Sequence, residues 1–229
     1  MIQNTFKRVE QKYLLNEEQY EIVRKVIDKY FFKDKYPTSK IYNIYFDNSN
    51  CDVIINSLEK PIYKDKFRLR KYGDSGDLFL EMKQKYNSVV YKRRVVLTND
   101  EYNNYINNGI LPNHDKQIMN EIDYYMKYYD LKPYMFLAYD RRSFYLKEDS
   151  NTRVTFDTNL RSRTCNLSLD DRCEDTNYFS SNKWIMEIKS LGSLPLWFTK
   201  VLSENMIYPT SFSKIGSIYK KERGNVYVK

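Results

Sequence analysis

Apolar and polar residues alternate with a period of two in eight segments of the chain, a pattern typical of half-buried β-strands. Stretches with helical spacing of apolar residues separate several of these segments. Strands and helices mixed in this way, without a linker or an internal repeat, predict an α+β fold in one domain covering residues 1–229. The predicted strands are Phe6–Leu14, Ser39–Phe46, Tyr63–Tyr72, Leu78–Lys85, Val89–Leu97, Tyr134–Leu146, Arg153–Leu160 and Lys183–Ser190.

Two helices begin with capping boxes, in which a polar N-cap residue is followed three positions later by Glu or Gln. Asn16 pairs with Gln19 in this way, and Thr98 pairs with Glu101 before a helix that we expect to end at Gly109. The polar stretch 161–181 is predicted to be a long loop. Two further helices are expected over about 116–129 and from Pro195 to about Met206.

The charged residues of one segment, KFRLRKYGDSGDLFLEMKQK at 66–85, fall on every second position of two predicted strands. Since alternate residues of a strand share a face, this segment predicts a hairpin with one ionised face. We expect Phe67, Leu69, Phe79 and Met82 to form its apolar face.

The same alternation of charges recurs on strand after strand. On a single strand it is what the solvated face of an antiparallel sheet shows. Its repetition, mostly with one sign, instead favours a basic lumen that holds a polyanion if the sheet closes into a barrel, with the few carboxylates placing a divalent metal. The predicted face carries the basic residues Arg8, Lys12, Lys66, Arg68, Arg70, Lys83, Lys85, Lys92, Arg94, Arg141, Arg153 and Lys189, and the acidic residues Glu10, Glu81, Asp157 and Glu187.

The net charge of +8 also favours an anionic partner. Three cysteines and one histidine make neither a disulfide framework nor a Cys/His zinc site. No segment resembles a signal peptide, a transmembrane span or a P-loop, so we expect a soluble, cytoplasmic protein that binds phosphate by other means.

An ordered set of short motifs resembles the VTC domain, the polyphosphate polymerase domain of vacuolar transporter chaperone complexes. This domain belongs to the triphosphate tunnel metalloenzyme superfamily, also called CYTH-like. The resemblance implies a closed antiparallel eight-stranded β-barrel with helices packed outside. The motifs are FKRVEQKYLL, IYNIYFDN, KFRLRKY, FLEMKQK, VYKRRV, AYDRRSF, RVTFDTNL, IMEIKS and SFSKI.

The resemblance also implies different roles for different charged residues. Glu187 resembles the metal-ligating glutamate for Mn²⁺ or Mg²⁺, and Glu10 and Glu81 are further metal candidates, although Glu81 is equally well explained as an ion-pair partner across the hairpin. Asp157 is expected to orient an arginine. The predicted catalytic residues are Lys66, Arg68, Arg70, Lys83, Lys92, Arg141, Arg153 and Lys214, and the predicted substrate-binding residues are Arg8, Lys12, Lys85, Arg94, Tyr139, Lys189 and Ser213.

The first strand departs from one branch of the superfamily, in which a Glu-x-Glu-x-Lys motif is typical. This chain has Arg8-x-Glu10-x-Lys12, and the lost carboxylate favours a polymerase that extends polyphosphate from ATP over a hydrolase. An inorganic or nucleotide triphosphatase and a non-catalytic polyphosphate-binding module stay open. The expected partners are ATP, pyrophosphate, triphosphate and polyphosphate, and no nucleic acid, because nucleic-acid recognition usually adds aromatic stacking platforms on an open surface.

Overall fold

A computed structural model describes residues 9–59, 61–73, 76–87, 89–179 and 182–223. Arg8, predicted to bind substrate, lies outside the described residues. The helices are α1 (Glu17–Tyr30), α2 (Asp52–Leu58), α3 (Asn99–Asn108), α4 (Lys116–Tyr128), α5 (Leu196–Glu204) and α6 (Lys214–Glu222). The strands are β1 (Val9–Asn16), β2 (Phe31–Asp47), β3 (Tyr63–Tyr72), β4 (Leu78–Tyr86), β5 (Val89–Leu97), β6 (Lys132–Leu146), β7 (Arg153–Arg163), β8 (Thr176–Asn177) and β9 (Lys183–Ser190).

Both predicted capping boxes are present. The Asn16 side chain accepts a hydrogen bond from the Gln19 amide at 2.8 Å, and the Gln19 side chain accepts one from the Asn16 amide. Thr98 and Glu101 make the same reciprocal pair at the start of α3. Gly109 ends α3 with a φ of 69°, a left-handed conformation that favours glycine.

The strands form an antiparallel sheet in the order β1-β9-β7-β6-β2-β3-β4-β5, and β8 pairs with β7. The α+β class predicted from the sequence is therefore confirmed. β1 and β5 stand at the two ends of this order, and within the described part of the chain no pairing joins them. The closed eight-stranded barrel is accordingly not confirmed.

The chain divides into two compact units, whose described residues come from Met1–Lys40, Tyr139–Leu160 and Asn177–Phe212 in unit 1, and from Ile41–Ala138, Arg161–Thr176 and Ser213–Lys229 in unit 2. In unit 1, apolar residues of β1, β7 and β9 pack with α1 and α5. Tyr20 of α1 stacks on Trp184 of β9 with ring centroids 3.8 Å apart, and this stack fixes the helix to the sheet.

The core of unit 2 lies on the apolar face of β2, β3, β4 and β5, against α3 and α4. Phe67, Leu69 and Met82 are buried there as expected. Phe79 is a correction: it pairs in register with Arg70 on the charged face, and the guanidinium of Arg94 lies 4.8 Å from its ring centroid. The reason is its position in the strand: Phe79 is two residues from Glu81, and alternate residues of a strand lie on the same face.

Among the described residues, no helix combines the length and the apolar character that a membrane crossing needs.

Candidate functional site

The basic residues of β3, β4 and β5 stand in rows across the sheet because the three strands pair in register. Lys66, Lys83 and Lys92 form one row, each directly opposite the next. Like charges placed opposite one another on a sheet repel, so this lysine row favours anionic neighbours. Lys85 lies one row further along β4, opposite Lys64 and Val90.

The neighbouring row places a carboxylate between two arginines: Glu81 is opposite Arg68 on one side and Arg94 on the other. Arg68 donates to Glu81 Oε2 at 2.7 Å, and Lys92 Nζ lies 2.8 Å from Oε1. Arg94 binds the same Oε1 through Nε at 2.7 Å and also through Nη2. Glu81 is only 2% exposed, and we call these four side chains the Glu81 network.

The charges of the Glu81 network shift the pKa values of its members. Burial alone would raise the pKa of Glu81, but Arg68, Arg70 and the hydrogen bond from Lys92 outweigh burial and hold that pKa far below its usual range. The pKa of Lys92 is lowered by burial and by its arginine neighbours, despite the contact with Glu81. Both carboxylate oxygens of Glu81 are held by cations, which is the ion-pair alternative weighed from the sequence.

The second arginine of β3 makes hydrogen bonds with neutral groups. Arg70 is 6% exposed and donates to Asn43 Oδ1 at 2.9 Å and to the Tyr72 hydroxyl at 3.1 Å. Asn43 in turn donates to the Leu137 carbonyl oxygen at 3.0 Å. These hydrogen bonds orient the guanidinium without neutralising its charge.

The start of α6 reaches the same side of unit 2. Lys66 Nζ donates to Ser213 Oγ at 2.9 Å, and Ser213 caps the helix by accepting from the Gly216 amide. Lys214 is the first residue of α6. A helix N-terminus carries partial positive charge, so α6 adds to the basic character contributed by Lys66.

Unit 1 holds a second charged group on β1, β9 and β7. Lys12 and Thr155 flank Glu187 in register, and Glu187 also makes an ion pair with Lys189 two positions along β9. Lys12 Nζ lies 3.6 Å from Glu10 Oε1 and donates to the Phe212 carbonyl oxygen at 3.3 Å. We call Lys12, Glu187 and Lys189 the Glu187 group.

Arg141 of β6 is fixed by a buried carboxylate in unit 1. It donates to the two oxygens of Asp157 at 2.6 and 2.8 Å, and Asp157 is fully buried. Burial would lower the pKa of Arg141, but Asp157 outweighs this and raises it, so the guanidinium stays charged. Arg141 also lies 5.3 Å from the ring centroid of Tyr139. Asp157 therefore orients an arginine, as expected.

The remaining predicted residue of unit 1, Arg153, lies at a more exposed position. Its side chain is 52% exposed, and its Nη1 atom is 3.6 Å from Asp34 Oδ2. In register it stands opposite Lys189.

The structure also brings residues to these groups that the sequence analysis missed. Asn43 and Tyr45 alternate on β2 opposite Arg70 and Arg68, and Tyr72 contacts Arg70. The alternation of Asn43 and Tyr45 within IYNIYFD was the available signal, but these side chains are neutral and do not belong to the pattern of charges.

The described residues contain no cluster of three or more His, Cys, Asp or Glu side chains suited to a metal ion. A Mg²⁺ ion held by one carboxylate and by substrate phosphates needs no such cluster. Glu187 fits this mode, since next to it lies the Thr155 hydroxyl, a buried oxygen with no hydrogen-bond partner in the described structure. Glu81, with both oxygens held by cations, fits it poorly.

Comparison with known proteins agrees with this picture of the fold. The family model described as "VTC domain" matches residues 7–221. Vacuolar transporter chaperone complex subunit 4 of Schizosaccharomyces pombe is 25% identical over 144 residues, which cover 52% of this chain and 20% of that protein. The chain thus aligns with only about a fifth of the length of this relative.

Two solved structures show a similar fold at low sequence identity. A candidate adenylate cyclase from Bacillus halodurans has a TM-score of 0.54 and 12% identity, covering 90% of this chain and 93% of its own. A candidate adenylyl cyclase from Hippeastrum, for which a dominant triphosphatase activity is described, has a TM-score of 0.52 and 11% identity, covering 94% and 96%.

Proposed function

We propose, from the premise that this chain belongs to the VTC domain family, that it is a metal-dependent polyphosphate polymerase. It transfers the terminal phosphate of ATP to a growing chain of inorganic polyphosphate. The lysine row carries this proposal: three lysines paired in register across neighbouring strands suit a ligand that presents negative charge at regular intervals. The proposal includes the closed barrel that the family resemblance implies.

Phosphoryl transfer requires little covalent chemistry from the protein. It needs aligned reactants and neutralised phosphate oxygens. The acceptor is itself a phosphate and is already anionic, so no general base is required. Lys66, Lys83 and Lys92 bind the phosphate chain, while Arg68 and Arg70, oriented by Glu81 and Asn43, stabilise the charge that develops in the transition state.

The Glu187 group and Arg141 supply the same chemistry in unit 1. Lys12 and Lys189 bind phosphate oxygens, and Asp157 holds Arg141 charged and oriented. Glu187 is the residue that would hold Mn²⁺ or Mg²⁺ jointly with substrate phosphates, and such an ion would neutralise phosphate charge during transfer. Glu10 and Glu81 are secondary candidates, because Lys12 and the Glu81 network respectively engage them.

The test is direct. The purified protein is incubated with ATP and Mn²⁺, and the products are resolved on a gel stained for polyphosphate. Chains that lengthen with time support the polymerase. Release of phosphate from ATP or triphosphate without lengthening would identify a triphosphatase, and binding of triphosphate without turnover would leave a binding module.

A matched pair of variants connects the activity to the lysine row. Lys83→Met removes one charge of the row and retains the apolar stem, so we expect activity to fall at least tenfold. Lys127→Met removes a lysine from the surface of α4, where it pairs with Asp123 and is 71% exposed. This control should retain wild-type activity. Equal activity of the two variants would contradict the assignment of the lysine row.

A further inference from the structure

Tyr45 lies beside Lys66, Arg68 and Arg70, which we call the basic group of unit 2, although its own side chain is neutral. It stands on β2 directly opposite Arg68 and is 8% exposed. Its hydroxyl oxygen accepts a hydrogen bond from Arg68 Nη1 at 3.4 Å. It also borders a small cavity that Lys66 and Ser213 line.

Within the part of the chain that the structure describes, the proton of this hydroxyl has no acceptor. Arg68 uses the oxygen as an acceptor, and none of the described residues accepts a hydrogen bond from Tyr45 in return. A buried hydroxyl normally satisfies its donor as well as its acceptor. The partner that this hydroxyl still requires is therefore an acceptor. Because Arg68, Lys66 and Arg70 lie nearby, a negatively charged acceptor is favoured.

The surrounding charges make this hydroxyl an unusually strong donor. Burial raises the pKa of Tyr45, but Arg68, Lys66 and Arg70, together with the hydrogen bond from Arg68, outweigh burial and lower the pKa to about 8. These three cations all come from β3, and α6 contributes the Ser213 hydroxyl to the adjoining cavity. The proton is therefore present at neutral pH and is partly lost in mildly alkaline solution.

We propose that Tyr45 is a further substrate-binding residue, whose hydroxyl donates a hydrogen bond to a phosphate oxygen of the bound triphosphate or polyphosphate. This inference rests on the proposed function, since it takes phosphate to be the ligand of the basic group. It adds a proton requirement to that site, because the deprotonated phenolate cannot donate and would repel the anion.

The direction of the pH effect follows from linkage. A phosphate beside Tyr45 favours the neutral phenol, so binding raises the pKa of Tyr45 above its value in the ligand-free protein. Below pH 8 the phenol is already protonated and binding takes up no proton at this residue. As the pH rises through about 8, binding must take up a proton there, and affinity falls accordingly.

The experiment uses inorganic tripolyphosphate as the ligand and calorimetry as the readout. Tyr45→Phe should weaken binding about tenfold at a pH of about 7, the scale of one hydrogen bond to a charged group. At a pH of about 9 the wild type should lose this advantage and bind no better than Tyr45→Phe. Tyr42→Phe is the control, because Tyr42 faces the core side of the same strand and its hydroxyl pairs with Asp171.

A spectroscopic signature separates binding from a structural role. At a pH of about 9, tripolyphosphate should decrease the ultraviolet absorbance of tyrosinate in the wild type and in Tyr42→Phe by more than in Tyr45→Phe, in which only Tyr72, whose pKa Arg70 also lowers, can contribute beside these cations. If tripolyphosphate binds the wild type and this absorbance stays constant, the role of Tyr45 is refuted even if Tyr45→Phe fails to fold. Absence of tripolyphosphate binding to the wild type at both pH values would instead refute the proposed function.

Discussion

At the scale of single residues, two glutamates predicted as metal candidates lie in different surroundings. Glu81 is enclosed by three cations, whereas Glu187 has Lys12 and Thr155 opposite it and makes an ion pair with Lys189. A carboxylate that neutralises several cations stabilises the folded chain. A carboxylate beside a hydroxyl without a hydrogen-bond partner is better placed to bind a ligand. The two residues should therefore respond differently to the same substitution.

We expect Glu81→Gln to lower the free energy of unfolding by about 2 kcal/mol, because three cations lose their counterion. Tripolyphosphate should restore part of this loss by supplying negative charge. Glu187→Gln should instead keep most of its stability and triphosphate affinity, and lose about 100-fold in turnover with Mn²⁺. Urea unfolding, calorimetry and phosphate transfer measure the three quantities.

Glu121→Gln is the control for stability, since Glu121 pairs with Arg93 at a partly exposed site, where an ion pair contributes less than about 1 kcal/mol. The contribution of Glu81 also has a pH signature. Its pKa is depressed in the folded protein, so the stabilisation is present above about pH 4.3 and is lost as the pH falls toward the folded-state pKa. A Glu81→Gln protein as stable as Glu121→Gln would contradict this account.

At the scale of elements, α4 docks on the apolar side of the sheet through a buried carboxylate. Tyr129, which caps α4, donates to Asp65 Oδ2 at 3.1 Å, and Asp65 of β3 is 3% exposed. Burial raises the pKa of Asp65, and hydrogen bonds from Tyr63, Tyr129 and Gln84 offset this only in part. The contact between α4 and β3 thus carries the cost of burying a charge at neutral pH.

Asp65→Asn should therefore increase the free energy of unfolding at neutral pH, by an amount on the order of 1 kcal/mol. The sign follows from the raised pKa: the wild type has its full stability below about pH 3.9 and loses stability as the pH rises through the folded-state pKa. The difference between variant and wild type should accordingly shrink toward pH 4. Urea unfolding at several pH values measures it, and destabilisation by Asn at neutral pH would show that α4 requires the carboxylate as an acceptor.

Several elements were predictable because their signals are local. Strands β3, β5 and β9 have the bounds that alternation predicts, and both capping boxes mark real helix starts. The first half of β2 was not predicted, because residues 33–40 are mostly polar without alternation and include Pro37, which argues against a strand. Helix α2 begins where the distant Asp47 side chain accepts from the Val53 and Ile54 amides, and no residue at its own N-cap signals this.

At the scale of the whole molecule, the net charge of +8 couples ligand binding to stability. A ligand that binds only the folded state at 100 times its Kd adds about 2.7 kcal/mol to the free energy of unfolding. For a chain of this size we expect the melting temperature to rise by about 5–10 °C with saturating tripolyphosphate. Differential scanning calorimetry measures the shift.

Added salt should reduce this shift, because ions screen the attraction between the basic groups and the phosphate chain. Sodium sulfate at the same ionic strength is the control and should raise the melting temperature less, since it offers only isolated anions. A melting curve unchanged by tripolyphosphate would mean that the basic groups do not bind phosphate chains.

The candidate site itself was predictable only in part. Period-two alternation identified which basic residues share a face, because the face on which a strand residue lies depends only on its position along that strand. The register of β3, β4 and β5 decides which charges meet, and it placed Glu81 between two arginines rather than at an open position. Partners far apart in sequence, such as Lys66 and Ser213, depend on tertiary packing that no local pattern encodes.

The pairing of β1 with β9 has a consequence for the order in which the protein forms. β3, β4 and β5 are consecutive hairpins, so the Glu81 network is complete once residue 97 has been made. β1 is synthesised before the other strands of the sheet, yet it can pair only after Lys183–Ser190 have been made. During that interval Glu10 and Lys12 keep charge on an unpaired strand, which opposes its association with strands of other nascent chains.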